Sequence, residues 1–118
     1  AAGVQVSGDP FLLRQALRNL VDNALAFSPA GGEVRVDAVV DAGRVRIRVA
    51  DRGPGVPDYA RERVFERFYS LPRPDGTPRS SGLGLPFVRE VARLHGGDVR
   101  LENRDGGGAI AMLSLPLA

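Results

Sequence analysis

The sequence predicts an α+β domain: one sheet covered on one face by helices, a two-layer α/β sandwich. Three observations predict it. Two segments carry apolar residues at helical spacing. One pair of alternating segments follows the first of them, and a second alternating pair closes the chain. The 118 residues fit a single domain, 1–118, and 43% hydrophobic content is enough for an ordinary core. There is no internal repeat and no linker to a second domain.

The elements follow in order. Asp9 is a good N-cap and Pro10 suits the first helical position. Leu13, Ala16, Leu17, Leu20, Val21, Ala24 and Leu25 then recur at helical spacing, and Pro29 with Gly31-Gly32 stops the helix near Ser28. A short strand at Val4 to Val6 is expected before it. Val34, Val36 and Ala38 alternate with Arg35, Asp37 and Val39 as a strand, and Asp41-Ala42-Gly43 is a hairpin turn. Val45, Ile47 and Val49 alternate with Arg44, Arg46 and Arg48, giving a second strand with one basic face that runs into Asp51. Pro57 to Arg63 is one or two helical turns. Ser70 to Ser81, rich in Pro, Ser and Arg, reads as a mobile loop. Pro86 to Leu94 is a helix with Phe87, Val88, Val91, Ala92 and Leu94 as its apolar face, ended by Gly96-Gly97. Val99 to Leu101 and Ala109 to Leu115 form a terminal hairpin across Asp105-Gly106-Gly107-Gly108.

Composition excludes several chemistries. Net charge is only +2, so nothing demands a nucleic-acid or membrane partner. The chain has no Lys, which excludes a phosphate site built on lysine, and no Cys, which excludes disulfides, thiolate metal sites and thiol nucleophiles. No apolar run is long enough for a transmembrane helix, and the first residues do not read as a signal peptide. The missing initiating Met reads as a processed or excised piece of a longer protein.

Four short segments carry the candidate chemistry. Asn19 and Asn23, within Asn19-Leu20-Val21-Asp22-Asn23-Ala24, share one helix face, and their carbonyls are hard oxygen donors of the kind Mg²⁺ accepts beside phosphates. Taken alone, they are more simply two exposed or capping asparagines. Asp51 ends an apolar strand at Asp51-Arg52-Gly53-Pro54-Gly55. Its carboxylate can accept a hydrogen bond from an adenine amine, and Gly53 and Gly55 permit close backbone approach. By itself this is also an ordinary strand-ending turn. Phe65-Glu66-Arg67-Phe68 places two aromatics at i and i+3, which alone reads as structural. Gly82-Leu83-Gly84-Leu85 opens a helix, where free backbone N–H groups attract phosphate. A P-loop is excluded because no Gly-x-x-x-x-Gly-Lys run exists. His95, the only His, reads as a packing or helix-capping residue rather than a catalytic one.

In order and at these separations, the four segments resemble the N, G1, F and G2 boxes of the GHKL ATP-binding superfamily. The likeness is to the catalytic and ATP-binding domain of sensor histidine kinases, and it covers nearly the whole chain. Val64 to Arg73 together with Ser80-Ser81-Gly82-Leu83-Gly84-Leu85 resembles the CreC-type sensor kinases in particular. The resemblance implies a Bergerat fold: a mixed sheet of about five strands backed by three helices, with ATP between helices under a mobile lid. It implies that Asn23 ligates Mg²⁺ and that Asn19 sits near the phosphates and the acceptor histidine. Asp51 would read adenine, with Gly53 and Gly55 shaping the pocket. Gly82 and Gly84 would hinge the lid, Leu83 and Leu85 would pack under it, and Phe65 and Phe68 would anchor its near end.

Two positions depart from the family pattern: Ala26 and Ser70 stand where relatives commonly carry basic groups facing phosphate. Arg73 or Arg79 is expected to substitute, because a guanidinium can grip phosphate bidentately. The alternative for each is a solvated loop residue.

The resemblance also separates reaction classes. ATPases of the superfamily place a water-activating Glu where this chain has Asn19, and an amide is no general base at neutral pH. No helix-borne His with an adjacent acid is present. The expected function is therefore protein-histidine kinase: the domain binds MgATP and delivers the γ-phosphate to a histidine on a separate dimerisation hairpin, with little turnover in isolation. Alternatives are a GHKL-type ATPase and a degenerate nucleotide-binding or scaffolding module. Implied partners are ATP, that hairpin of the same protein and a cognate response regulator. The isolated domain is expected to be monomeric and cytoplasmic, the full-length protein lying in the bacterial inner membrane.

Overall fold

The computed structural model describes residues 5–28, 32–66, 84–104 and 107–118. Helix α1 (Pro10–Phe27) begins as its sequence dictates: the Asp9 side chain accepts from the N–H groups of Phe11 and Leu12, and Pro10 occupies the first turn. Its buried stripe is Ala16, Leu20 and Ala24, four residues apart. Ser28 caps the other end, its N–H bonded to the Ala24 carbonyl. Strands β1 (Arg35–Asp41) and β2 (Arg44–Ala50) follow, then two single 3-10 turns at Asp58–Ala60 and Arg63–Phe65. Helix α2 (Gly84–Leu94) leads into β3 (Asp98–Asn103) and β4 (Ala109–Pro116).

The strands make one sheet in the order β1-β2-β4-β3. The terminal strand β4 inserts between β2 and β3, so the centre of the sheet is built from segments far apart in sequence. Its register sets Val49 opposite Ala111 and Ile47 opposite Leu113 on one side. On the other side Val99 lies opposite Leu113. Alternate residues of β4 are buried, and the helices pack on that face of β2, β3 and β4. Leu20, Val49, Val88, Val91, Val99 and Leu113 are the largest fully enclosed side chains.

The α+β class is the expected one. The described residues hold four strands and two α-helices, and every pairing is antiparallel rather than mixed. The expected strand at Val4 to Val6 is not formed at residues 5–7. A single bond from the Ala118 N–H to the Gln5 carbonyl ties that stretch down. Helix α2 starts two residues earlier than the sequence suggests. Leu94 is off its apolar face and exposed, because the face is carried by Val88, Val91 and Ala92. Strand β1 departs most from the alternating expectation: it is exposed throughout. Val36 and Val40 stand opposite the buried Val49 and Val45 yet remain 53% and 44% exposed, because the helices reach β2 and not the edge beyond it. On the outer face of the same edge, the Arg48 guanidinium bonds Asp37 at 2.6 Å and holds its carboxyl below the usual carboxylate range.

The β1–β2 turn is two residues long, with Ala42 at φ +52° and Gly43 at φ +75°. That is the twist-matched hairpin turn, which favours Asn at the first position, and an alanine there carries left-handed strain. Ala42→Asn should raise unfolding free energy by about 0.5–1 kcal/mol in denaturant titration. Leu113→Ala, in the middle of the enclosed layer, should lose about 2–5 kcal/mol. Leu25→Ala, on the exposed side of α1, should change stability by less than about 0.5 kcal/mol.

Candidate functional site

Asp51 is the one buried charged side chain among the described residues, 6% exposed at the point where β2 leaves the sheet. It is held from several sides. Its N–H donates to the Ala109 carbonyl at 2.9 Å. Its Oδ1 accepts from the Gly53 N–H at 2.9 Å and from the Ala109 N–H at 3.2 Å. Its carbonyl accepts from Arg104 Nη1 at 3.0 Å. Oδ2 has no partner among the described residues, so one oxygen anchors the side chain while the other is left to receive a donor.

The turn after Asp51 passes very close to its neighbours. A Cβ on Gly53 would meet the Phe27 carbonyl oxygen at 2.2 Å, which places the turn against the last residue of α1. A Cβ on Gly55, at φ +81°, would come 2.8 Å from Asn103 Oδ1. On the other strand, a Cβ on Gly108 would fall 2.0 Å from the Asp51 carbonyl oxygen.

Helix α1 connects this turn to the second half of the site. Asn19 Oδ1 accepts from Gln15 Nε2 at 3.0 Å, and its Nδ2 donates to the Gly84 carbonyl at 3.5 Å, joining α1 to the first residue of α2. Asn23, one turn further along the same face, has no side-chain hydrogen bond among the described residues and is half-buried. Asn19 touches the start of α2, Phe27 touches the Asp51 turn, and Asn23 lies between them. Eight residues at 1.5 Å rise separate the two contacts by about 12 Å.

The structure thus brings together Asn19, Asn23, Asp51, Gly53, Gly55 and Gly84. Gly82, Leu83, Arg73, Arg79 and Phe68 lie outside the described residues, as do Ser70 and the expected loop. Ala26 is half-buried on α1. Phe65 is buried in the core, and the Arg89 guanidinium carbon stands 4.3 Å from its ring centroid. Arg89 also bonds Glu62 at 2.8 Å, so α2 grips the segment just ahead of Arg67. His95 behaves as a packing and capping residue: Nδ1 lies 2.7 Å from the Val91 carbonyl, and Nε2 accepts the Asp9 N–H at 3.0 Å. Sequence reasoning missed Asn103, Arg104, Gly108 and Ala109 as neighbours of Asp51. It treated their segment as a plain hairpin, and its run of glycines was the only available signal.

Residues 8–118 match the family described as histidine kinase-, DNA gyrase B- and HSP90-like ATPase. The chain belongs to that family. It is 54% identical over 112 residues to sensor protein CreC of Escherichia coli K12, covering 95% of this chain and 23% of CreC. It is 46% identical over 107 residues to the histidine-protein kinase/phosphatase MprB of Mycobacterium tuberculosis H37Rv, covering 90% of this chain and 21% of MprB. The chain therefore spans about a quarter or less of these relatives. Among solved structures it resembles the mycobacterial sensor histidine kinase MprB with TM-score 0.83 at 37% identity, covering 95% of this chain and 74% of that one. It resembles full-length ShkA in complex with AMPPNP with TM-score 0.80 at 39% identity, covering 98% of this chain and 23% of that one. The chain is of the type found as the ATP-binding domain of sensor histidine kinases.

The close passage of Gly108 over Asp51 makes a direct forecast. Gly108→Ala, at φ +96° with no room for its Cβ, should destabilise the domain by about 2 kcal/mol or more in thermal or denaturant unfolding.

Proposed function

We propose that this chain binds MgATP and presents the γ-phosphate to a histidine carried on another part of the same kinase. The observation that carries this reading is Asp51: a buried carboxyl with one oxygen fixed by two backbone N–H groups and the other without a partner among the described residues. An exocyclic amine is a donor that such an oxygen accepts, and guanine lacks an amine at that position of the ring.

The base end of the site would be the Asp51 turn, and the phosphate end would be Asn19, Asn23 and the start of α2. The span of about 12 Å along α1 suits an extended nucleotide. Asn23 Oδ1, without a partner among the described residues, could face a divalent cation, whereas Asn19 Oδ1 is engaged by Gln15. Magnesium, when bound there, would neutralise phosphate oxygens as charge shifts during transfer. The residues fit both groups, since among the described residues the base end offers a carboxylate oxygen without a partner and the phosphate end a carboxamide without one. Asn19, tied to the Gly84 carbonyl, would keep the phosphate end of α1 in register with α2, whose first N–H groups could meet phosphate oxygens. The chain would thus contribute position and polarity rather than a nucleophile or a base.

Position 19 favours a kinase over an ATPase, because its amide cannot take a proton from water. The names of the relatives support the same reading: CreC is a sensor protein, MprB a histidine-protein kinase/phosphatase and ShkA a protein that binds AMPPNP. The acceptor hairpin, a response regulator and a membrane-anchored full-length protein follow as proposed partners and setting. No described helix is long and apolar enough to cross a membrane. For phosphate contacts in place of Ala26 and Ser70, Arg73 and Arg79 remain the proposed cations.

Calorimetric titration of the chain with a non-hydrolysable ATP analogue, with and without Mg²⁺, tests the reading. Binding should be lost in Asp51→Asn, which puts an NH₂ group against the adenine amine. In Asn23→Ala the affinity gained on adding Mg²⁺ should fall by about tenfold or more while Mg²⁺-free binding is kept, the scale of one charge-assisted contact. Binding unaffected by Asp51→Asn would sink the adenine assignment. Fast steady-state ATP hydrolysis that disappears in Asn23→Ala would move the chain to the ATPase class.

A further inference from the structure

The Asp51 turn is fastened from behind by the β3–β4 hairpin. Asn103, the last residue of β3, gives both ends of its carboxamide to one residue of the turn. Its Oδ1 accepts the Val56 N–H at 2.7 Å and its Nδ2 donates to the Val56 carbonyl at 2.9 Å. A side chain here reproduces the two bonds of a strand partner. Arg104, next in sequence, bonds the carbonyl of Asp51 at 3.0 Å from a half-buried position. The hairpin that carries both is itself closed by bonds from the Arg104 N–H to the Gly108 carbonyl at 2.9 Å and from the Gly107 N–H to the Arg104 carbonyl at 3.2 Å.

The turn has few other ties. Among the described residues no backbone–backbone hydrogen bond joins residues 52–56 to the rest of the domain. Its polar contacts are the Gly53 N–H on Asp51 Oδ1 and the Asn103 pair on Val56. The near end of the turn is thus fixed at Asp51, by Ala109 and Arg104, and the far end at Val56, by Asn103. Neither Asn103 nor Arg104 bonds the Asp51 carboxyl. Both act on the backbone that aims it.

We propose that Asn103 and Arg104 are positioning residues for base selection: by holding Val56 and the Asp51 carbonyl they fix the direction of Asp51 Oδ2 and the shape of the turn beside it. The proposal rests on the reading of Asp51 as the group that meets the adenine amine. It predicts that loss of either side chain weakens discrimination at the 6-position of a purine more than it weakens nucleotide binding in general. A loosened turn lets the carboxyl wander or admit water, while the phosphate end on α1 is untouched.

The test titrates the 118-residue chain with two non-hydrolysable purine triphosphates in the presence of Mg²⁺, one bearing the 6-amino group and one lacking it. The wild-type chain should favour the amine-bearing nucleotide by about tenfold or more, the worth of one hydrogen bond to a charged acceptor. Asn103→Ala and Arg104→Ala should bring the ratio close to one with a thermal midpoint near that of wild type, and Arg104→Lys should restore part of it. If both nucleotides weaken equally and the ratio is kept, the two residues only support the fold and the proposal fails. It fails equally if Asn103→Ala abolishes the cooperative folding transition. A wild-type chain that binds both nucleotides alike overturns the reading of Asp51 itself, a result distinct from an intact wild-type preference that the variants leave unchanged.

Discussion

The pairing of Asp51 with Ala109 is the contact on which the rest of the architecture turns. A carboxyl group at 6% exposure is costly to bury unless its oxygens are satisfied. Here two backbone N–H groups, from Gly53 and Ala109, converge on one oxygen, and the Asp51 N–H returns a bond to the Ala109 carbonyl. The arrangement requires β4 to start beside the end of β2, and the observed register, with Ala50 opposite Ile110, delivers it. It also requires the glycine at position 108, where any side chain would strike the Asp51 carbonyl. Sheet topology, turn chemistry and the buried carboxyl are therefore one constraint. Changing the strand pairing would strand the carboxyl, and changing the carboxyl would remove the reason for the crowded turn.

Helix α1 carries that constraint to the other half of the site. Its apolar stripe of Ala16, Leu20 and Ala24 fixes the helix on the sheet, which leaves Asn19 and Asn23 on the flank beside α2. Two further contacts hold the frame. The His95 ring joins the start of α1 to the end of α2 through Asp9 and Val91, so both helices are pinned at the same end of the layer. Arg89 covers the Phe65 ring and bonds Glu62, which secures the 3-10 turn at Arg63–Phe65 to α2. The guanidinium Nε of Arg89 is buried without a partner, a cost offset in part by the ring beneath it and the carboxylate beside it. The elements that would meet the nucleotide thus share a common base, and among the described residues Asp51 Oδ2 and the Asn23 carboxamide have no hydrogen-bond partner.

Much of the site was legible in the chain. Asp9-Pro10 announced the start of α1, and the 3.6-residue spacing put Asn19 and Asn23 on one face. Alternation in β2 ended at Asp51, and Gly53, Gly55 and Gly84 marked places where backbone must come close or a helix must begin. These are local signals, set by spacing and by the conformational range of single residues. The pairing of β2 with β4, the bare edge at Val36 and Val40 and the outward turn of Leu94 were not legible. Alternation says that a segment has two faces and is silent on whether anything covers them.

The sequence by itself determined the element order, the α+β class, the family resemblance and the residue types of the site, because caps, periodicity and ordered motifs depend on neighbours within a few positions. Only the tertiary structure decided which oxygen of Asp51 is fixed, that among the described residues Asn19 and not Asn23 has an engaged carboxamide, and that Asn103, Arg104 and Gly108 stand around the turn. Most of those facts depend on contacts between residues more than forty positions apart, such as Asp51 with Ala109, Asn103 with Val56 or Asn19 with Gly84. No local pattern encodes such contacts, because they are set by the packing of the sheet as a whole and by where β4 inserts into it.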